Sequence, residues 1–187
     1  MAQHDVVIAG FGGQGVLLVG KMLAYAGMRE NKEVSWFPSY GPEMRGGTCN
    51  CTVIISDRPV GSPVVQHPSA IIVLNLPSLD KFEPLLRSGG LLCVNTSLIH
   101  RQPRRDDVRV VAVPANDIAI ELANPRGANM VALGAYVGST GAVSEGVLEE
   151  VIQETFAAKP GLVEANLQAF RRGVEVGRAV REQEVTS

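Results

Sequence analysis

At 187 residues, with 45% hydrophobic and 19% charged side chains, the chain has the length and composition of one globular domain with a substantial core. Its net charge of −2 supplies no basic surface, which argues against nucleic acid as a partner. No apolar run reaches the roughly 18–20 residues that cross a bilayer, and Met1-Ala2-Gln3-His4-Asp5 has no signal-peptide layout, so a cytoplasmic protein without membrane association is expected.

The first predicted element is a β-branched run, Val6-Val7-Ile8-Ala9, which feeds into Gly10-Phe11-Gly12-Gly13-Gln14-Gly15. A helical apolar pattern follows over 16–29. Glycines at a strand-to-helix turn leave backbone N–H groups open at a helix N-terminus, where the helix dipole favours a phosphate or another anion. Gly10, Gly12, Gly13, Gln14 and Gly15 are therefore candidate binding residues. The competing reading is that these glycines only permit close strand–helix packing. A second strand, Glu33-Val34-Ser35-Trp36-Phe37, runs out at Pro38-Ser39-Tyr40. A dinucleotide-binding unit needs an acidic residue at the far end of that strand for the ribose hydroxyls. Glu33 stands at the near end and no acid stands at the other, so the NAD reading fails its second condition.

The next segment is Ser39-Tyr40-Gly41-Pro42-Glu43-Met44-Arg45-Gly46-Gly47. Polar side chains on a loop stiffened by proline, beside the carboxyl ends of strands, are where open α/β sheets build their sites. Arg45 can pair with a phosphate or carboxylate, and Glu43 can orient it. Ser39, Tyr40, Gly41, Glu43, Arg45, Gly46 and Gly47 join the candidate set for ligand contact, with docking of another subunit as the equal alternative.

Strands are predicted over 48–56, 70–74, 91–94 and 108–113, with a helix from Pro77 to near Ser88 stopped by Gly89-Gly90. From 130 onward the chain reads as helices over 130–137, 146–157 and 162–181, with Ser144 as an N-cap. This order predicts a single α/β domain over 1–187. The expected architecture is Rossmann-like and doubly wound, with a mostly parallel sheet, helices on both faces and a helical C-terminal part. Asn75 and Asn95 follow apolar strands and read as turn formers. The run Arg101-Gln102-Pro103-Arg104-Arg105-Asp106-Asp107 reads as a solvated loop. Cys49, Cys51 and Cys93 have neither metal-site nor disulfide spacing and read as small core residues. His4, His67 and His100 have no partner pattern for general-base work, and no catalytic or metal-binding residue is assigned.

Together, GFGGQGVLLVGKMLAYAG and SWFPSYGPEMRGGTCNCTVIISDRPVGSPVV resemble the gamma subunit of the 2-oxoacid:ferredoxin oxidoreductases, in particular the 2-oxoglutarate and 2-oxoisovalerate types. The resemblance covers nearly the whole chain and is strongest over 6–65. It implies a subunit of a complex with alpha, beta and delta-type partners. Such a complex oxidatively decarboxylates a 2-oxoacid, transfers the acyl group to coenzyme A and passes two electrons to ferredoxin. Thiamine diphosphate, magnesium and the iron–sulfur clusters are then expected on the partner subunits, and the isolated chain is expected to be inactive. The two motifs are expected to face an inter-subunit cleft open to coenzyme A, with 2-oxoglutarate as the expected oxoacid. A non-catalytic assembly module and a free nucleotide-binding domain are the alternatives. Without its partners the chain is expected to cover its docking surface as a homodimer.

Overall fold

The computed structural model describes residues 2–39 and 48–186. Six strands form one sheet in the order β2-β3-β1-β4-β5-β6: β1 is Gln3–Phe11, β2 Glu33–Ser39, β3 Thr48–Ser56, β4 Ala70–Val73, β5 Leu91–Asn95 and β6 Arg109–Val113. β1, β4, β5 and β6 run parallel, whereas β3 lies antiparallel between β1 and β2. The sheet is thus mixed. β4 and β5 are buried along their whole length, which is why their sequences are nearly unbroken apolar runs rather than alternating ones.

Helix α1 (Val16–Arg29) packs on one face with α3 (Ala115–Glu121), α4 (Ala128–Thr140), α5 (Glu145–Thr155) and α6 (Pro160–Val185). The other face carries α2 (Leu76–Phe82), a 3-10 turn over Glu83–Leu85 and Ile99. The helix expected from Pro77 to Ser88 breaks where Pro84 cannot continue the α-helical hydrogen bonding. α3 was absent from the sequence-based expectation; at seven residues it offers too little periodicity to read.

α4 is buried on nearly all sides because it lies between the sheet and α6. Glycines make that sandwich possible. Gly134 and Gly138 of α4 lie against the Phe170 and Val174 backbone, and Gly173 and Gly177 of α6 lie against that of Val131 and Ala135. A Cβ at any of the four would collide with a main-chain carbonyl, so the helices meet backbone to backbone.

Several loop readings gain partners. Ser144 occupies the N-cap position of α5 but makes no side-chain cap bond; its backbone N–H donates to Glu30 Oε1 at 2.5 Å. The charged run over 101–107 is a loop, but not a merely solvated one. The buried carboxylate of Glu83 accepts from Arg101 Nη2 (2.9 Å) and from the backbone N–H groups of Arg104 and Arg105, which fixes the loop to the 3-10 turn. All three cysteines are buried, and burial pushes the Cys51 and Cys93 thiols up to about 12.

The crossover from β1 passes through α1 on one face, and that from β4 passes through α2 on the other. Adjacent parallel strands whose connections diverge leave a crevice at their carboxyl ends. The glycine turn sits at that crevice.

Candidate functional site

The turn after β1 is held by its own glutamine. Gln14 Oε1 accepts from the Phe11 N–H (2.6 Å) and from Asn75 Nδ2 (3.3 Å), tying the end of β1 to the start of α2. A Cβ on Gly10 would lie 2.6 Å from Gln14 Oε1 and 3.2 Å from Leu74 Cβ, so a side chain there would push aside the glutamine that holds the turn. Gly13 and Gly15 both adopt left-handed backbone, with φ of 91° and 75°. Gly15 also faces Asn129, whose amide occupies the space a Cβ would take, whereas Gly13 has no described atom within 4 Å of that position. Gly12 is exposed at the apex. The glycines therefore serve both readings: Gly10 and Gly15 permit packing, and Gly12 and Gly13 leave the turn open.

Above the turn lies a cleft of about 410 Å3, bounded by Gly13, Gln14 and Gly15, by Asn95 and Asn116, and by the segment from Pro125 to Asn129. Four helices begin near this edge, and their N-termini are treated differently. Asn75 caps α2 by accepting from the Ser78 N–H (2.9 Å). Asn95 Oδ1 accepts from the Ala115 N–H (3.1 Å) at the start of α3, while its Nδ2 donates to Leu74 O and Asn116 Oδ1 (3.2 and 2.8 Å). Asn75 thus caps a helix and Asn95 bridges three elements at the cleft, where the sequence suggested turn formers. α1 and α4, by contrast, begin at Gly15 and Gly127, which have no side chain to cap with, and carry no acidic residue in the first turn; in α4, Asn129 Oδ1 accepts from the Met130 N–H (2.9 Å). Both turn the positive end of a helix dipole toward the same cleft.

Arg126 stands beside them, exposed and with no hydrogen-bond or ion-pair partner among the described residues. Among the described residues it is the only ionisable side chain lining the cleft. The cleft can hold and orient an anion, but no described lining residue offers an acid, base or nucleophile. Among the described residues no group of three His, Cys, Asp or Glu could hold a metal, and the buried, protonated thiols do not fit a cluster. No described helix is long and apolar enough to cross a membrane.

Sequence reasoning missed Arg126 and Asn129. Asn124-Pro125-Arg126-Gly127 does read as a turn before a helix, the same kind of signal as the first glycine turn. Nothing local shows that the fold returns it to β1. Of the second candidate segment, Ser39 ends β2 in the same row as Asn50 and Ala9, two strands from the turn, and the chain re-enters at Thr48 opposite Phe11. Tyr40, Gly41, Glu43, Arg45, Gly46 and Gly47 lie outside the described residues. The missing ribose-binding acid also has a structural reason. β3 separates β2 from β1, so β2 does not end beside the glycine turn.

Residues 5–176 match the family model of pyruvate ferredoxin/flavodoxin oxidoreductase. The chain is 41% identical over 175 residues to ketoisovalerate oxidoreductase subunit VorA of Methanothermobacter marburgensis, an alignment covering 92% of this chain and 36% of that protein. It thus spans about a third of the length of the VorA relatives. It is 36% identical over 179 residues to the 2-oxoglutarate synthase subunit KorC of Methanocaldococcus jannaschii, covering 94% of this chain and 95% of that one. Among solved structures, the keto/oxoacid ferredoxin oxidoreductase gamma subunit from Geobacter sulfurreducens superposes with a TM-score of 0.81 at 32% identity, covering 94% and 99% of the two chains. The 2-oxoglutarate:ferredoxin oxidoreductase from Magnetococcus marinus, solved with 2-oxoglutarate, coenzyme A and succinyl-CoA, superposes with a TM-score of 0.88 at 25% identity, covering 96% of this chain and 32% of that one.

Proposed function

The chain belongs to the pyruvate ferredoxin/flavodoxin oxidoreductase family, and on that premise we propose that it acts as the gamma subunit of a 2-oxoacid:ferredoxin oxidoreductase whose glycine-turn cleft receives the phosphates of coenzyme A. In the complex, a 2-oxoacid, coenzyme A and two oxidised ferredoxins give an acyl-CoA, carbon dioxide, a proton and two reduced ferredoxins. Magnesium and iron–sulfur clusters, for which the described residues offer no ligand group, belong in this reading to alpha, beta and delta-type partners, and so does thiamine diphosphate. The observation that carries the reading is the convergence of two helix N-termini that begin at glycine, and of Arg126, which has no partner among the described residues, on a cleft without a described carboxylate. Such a site suits a diphosphate. The open backbone at Gly12 and Gly13 allows close approach, while Gln14 keeps the turn in shape. Arg45 and its neighbours, which stand in the sequence between Ser39 and Thr48, are proposed to complete the ligand contacts.

2-Oxoglutarate is the proposed oxoacid. Support comes from the KorC relative that matches end to end, while 2-oxoisovalerate, after the VorA relatives, and pyruvate are the competitors. Assay of the purified complex with each acid decides between them.

Equilibrium binding of coenzyme A to the assembled complex tests the site. Arg126→Ala is expected to weaken binding about tenfold, the loss of one charge-assisted contact, with subunit composition unchanged. Unchanged affinity in an intact complex sinks the direct-contact reading.

A second reading, pure assembly, is favoured by Phe11, Leu76 and Leu98, which are about 40% exposed at the same edge of the sheet. Apolar side chains around a cleft suit a subunit interface. If Arg126→Ala and Gly13→Ala release the partners instead of raising the KM for coenzyme A, docking is the role of this edge.

A further inference from the structure

At the opposite edge of the sheet, where the parallel strands begin, lies another cavity of about 440 Å3, within the usual range of small-molecule sites (about 300–1,000 Å3). The starts of β1, β4, β5 and β6 bound it on one side and the C-terminal turns of α4 and α6 on the other. We propose that this cavity is a binding site for a small carboxylate- or phosphate-bearing anion, held by Arg87, Arg109 and Arg181 and by a hydrogen bond from the Tyr136 phenol.

Two independent observations point to a ligand. First, Tyr136 is fully buried in the cavity wall, and its hydroxyl has no hydrogen-bond partner among the described residues. The Thr140 hydroxyl lies close enough to act on the phenol, but its proton goes to the Tyr136 carbonyl, at 2.7 Å, and no hydrogen bond to the phenol meets the distance and angle that one requires. Burial pushes the phenol's pKa up, so it stays protonated and available as a donor. A buried hydroxyl without a partner is rare enough to require one.

Second, the cavity carries excess positive charge. Arg109 donates to Glu184 at 2.8 Å, while Arg87 and Arg181 make no ion pair among the described residues. Three guanidinium groups against one carboxylate leave two positive charges on the lining. His4 adds none at neutral pH, since burial, with help from Lys32 and Arg87, lowers its pKa against the opposing pull of Asp5 and Asp57. Asp5, behind the lining and held by the Ser69 N–H at 2.6 Å, acts on both Tyr136 and His4 and offsets one of these charges. Arg181 also lies beside Gly141 at the end of α4, where it answers the negative end of that helix dipole. Arg87 has no such role, which makes it the discriminating residue.

The test titrates the full chain, by calorimetry, with inorganic phosphate and separately with citrate, at constant ionic strength set by chloride. We expect a saturable binding event that Arg87→Ala weakens about tenfold and Tyr136→Phe severalfold. Arg126→Ala, at the glycine-turn edge, should leave that event in place. Tyr136→Phe removes one oxygen from the core, so an unchanged circular dichroism spectrum certifies the fold. Tighter phosphate binding assigns a phosphate ester, and tighter citrate binding a polycarboxylate. No saturable binding, or binding that responds only to Arg126→Ala, overturns the proposal.

Discussion

Glycines 13 and 15 have the same backbone requirement but different surroundings, and the difference separates what the sequence displays from what it hides. Both sit at positive φ, where an L side chain costs about 1–2 kcal/mol. Gly13→Ala should therefore lower stability by about that amount, since no described atom obstructs the new methyl group. Gly15→Ala should cost more, because it also displaces Asn129 and with it the start of α4. Urea unfolding of the two variants checks the order; equal losses would mean that Asn129 does not seat the turn. The need for glycine was legible, because G-x-G-G-x-G after a β-branched run has one common structural meaning. Asn129 and Arg126 were not legible, because more than a hundred residues of chain separate them from Gly15.

Among the elements, strands were easier to read than their pairing. The runs at 48–56 and 70–74 declare themselves by apolar content, yet nothing local says that β3 enters antiparallel between β1 and β2. The α4–α6 contact was likewise hidden, although its spacing stands in the sequence: Gly134 and Gly138 on one helix, Gly173 and Gly177 on the other. Helical glycine normally costs about 1 kcal/mol relative to alanine, so four at matched spacing are retained for packing. Gly134→Ala or Gly177→Ala should lose about 1–3 kcal/mol in thermal unfolding despite the better helix propensity. Gly161→Ala, with open space at its Cβ near the start of α6, should be neutral or stabilising. Similar losses at all three positions would contradict the backbone contact. α5 is tied to α6 by bidentate pairs of Glu149 with Arg171 and Glu145 with Arg178. The hydrogen bonds from Arg171 hold the Glu149 carboxyl below its usual pKa, against the opposing effect of burial. A depressed folded-state pKa stabilises the fold above the ordinary glutamate value, and that contribution disappears as pH falls through the depressed one. Arg171→Ala should return Glu149 toward its ordinary pKa in an NMR titration and flatten this part of the acid-stability profile. The effect on stability should stay within about 0.2–1 kcal/mol, since the pair is partly exposed.

On the scale of the whole molecule, one sheet presents anion-friendly groups at both edges, and no described residue in the glycine-turn cleft can transfer a proton. A cleft so equipped can bind and position an anion. Family membership was legible because two motifs stand at a fixed spacing. The oxoacid was not, because nothing on this chain's described residues selects between a carboxyethyl and an isopropyl side chain. The central claim is tested most directly by affinity isolation of the tagged full chain from its native source, followed by coenzyme-A-dependent 2-oxoacid oxidation with an artificial electron acceptor. The account predicts larger thiamine-binding and iron–sulfur subunits in the eluate, activity that requires coenzyme A, and none from the chain alone. Recovery of the chain by itself, without oxidation of any 2-oxoacid, would contradict it.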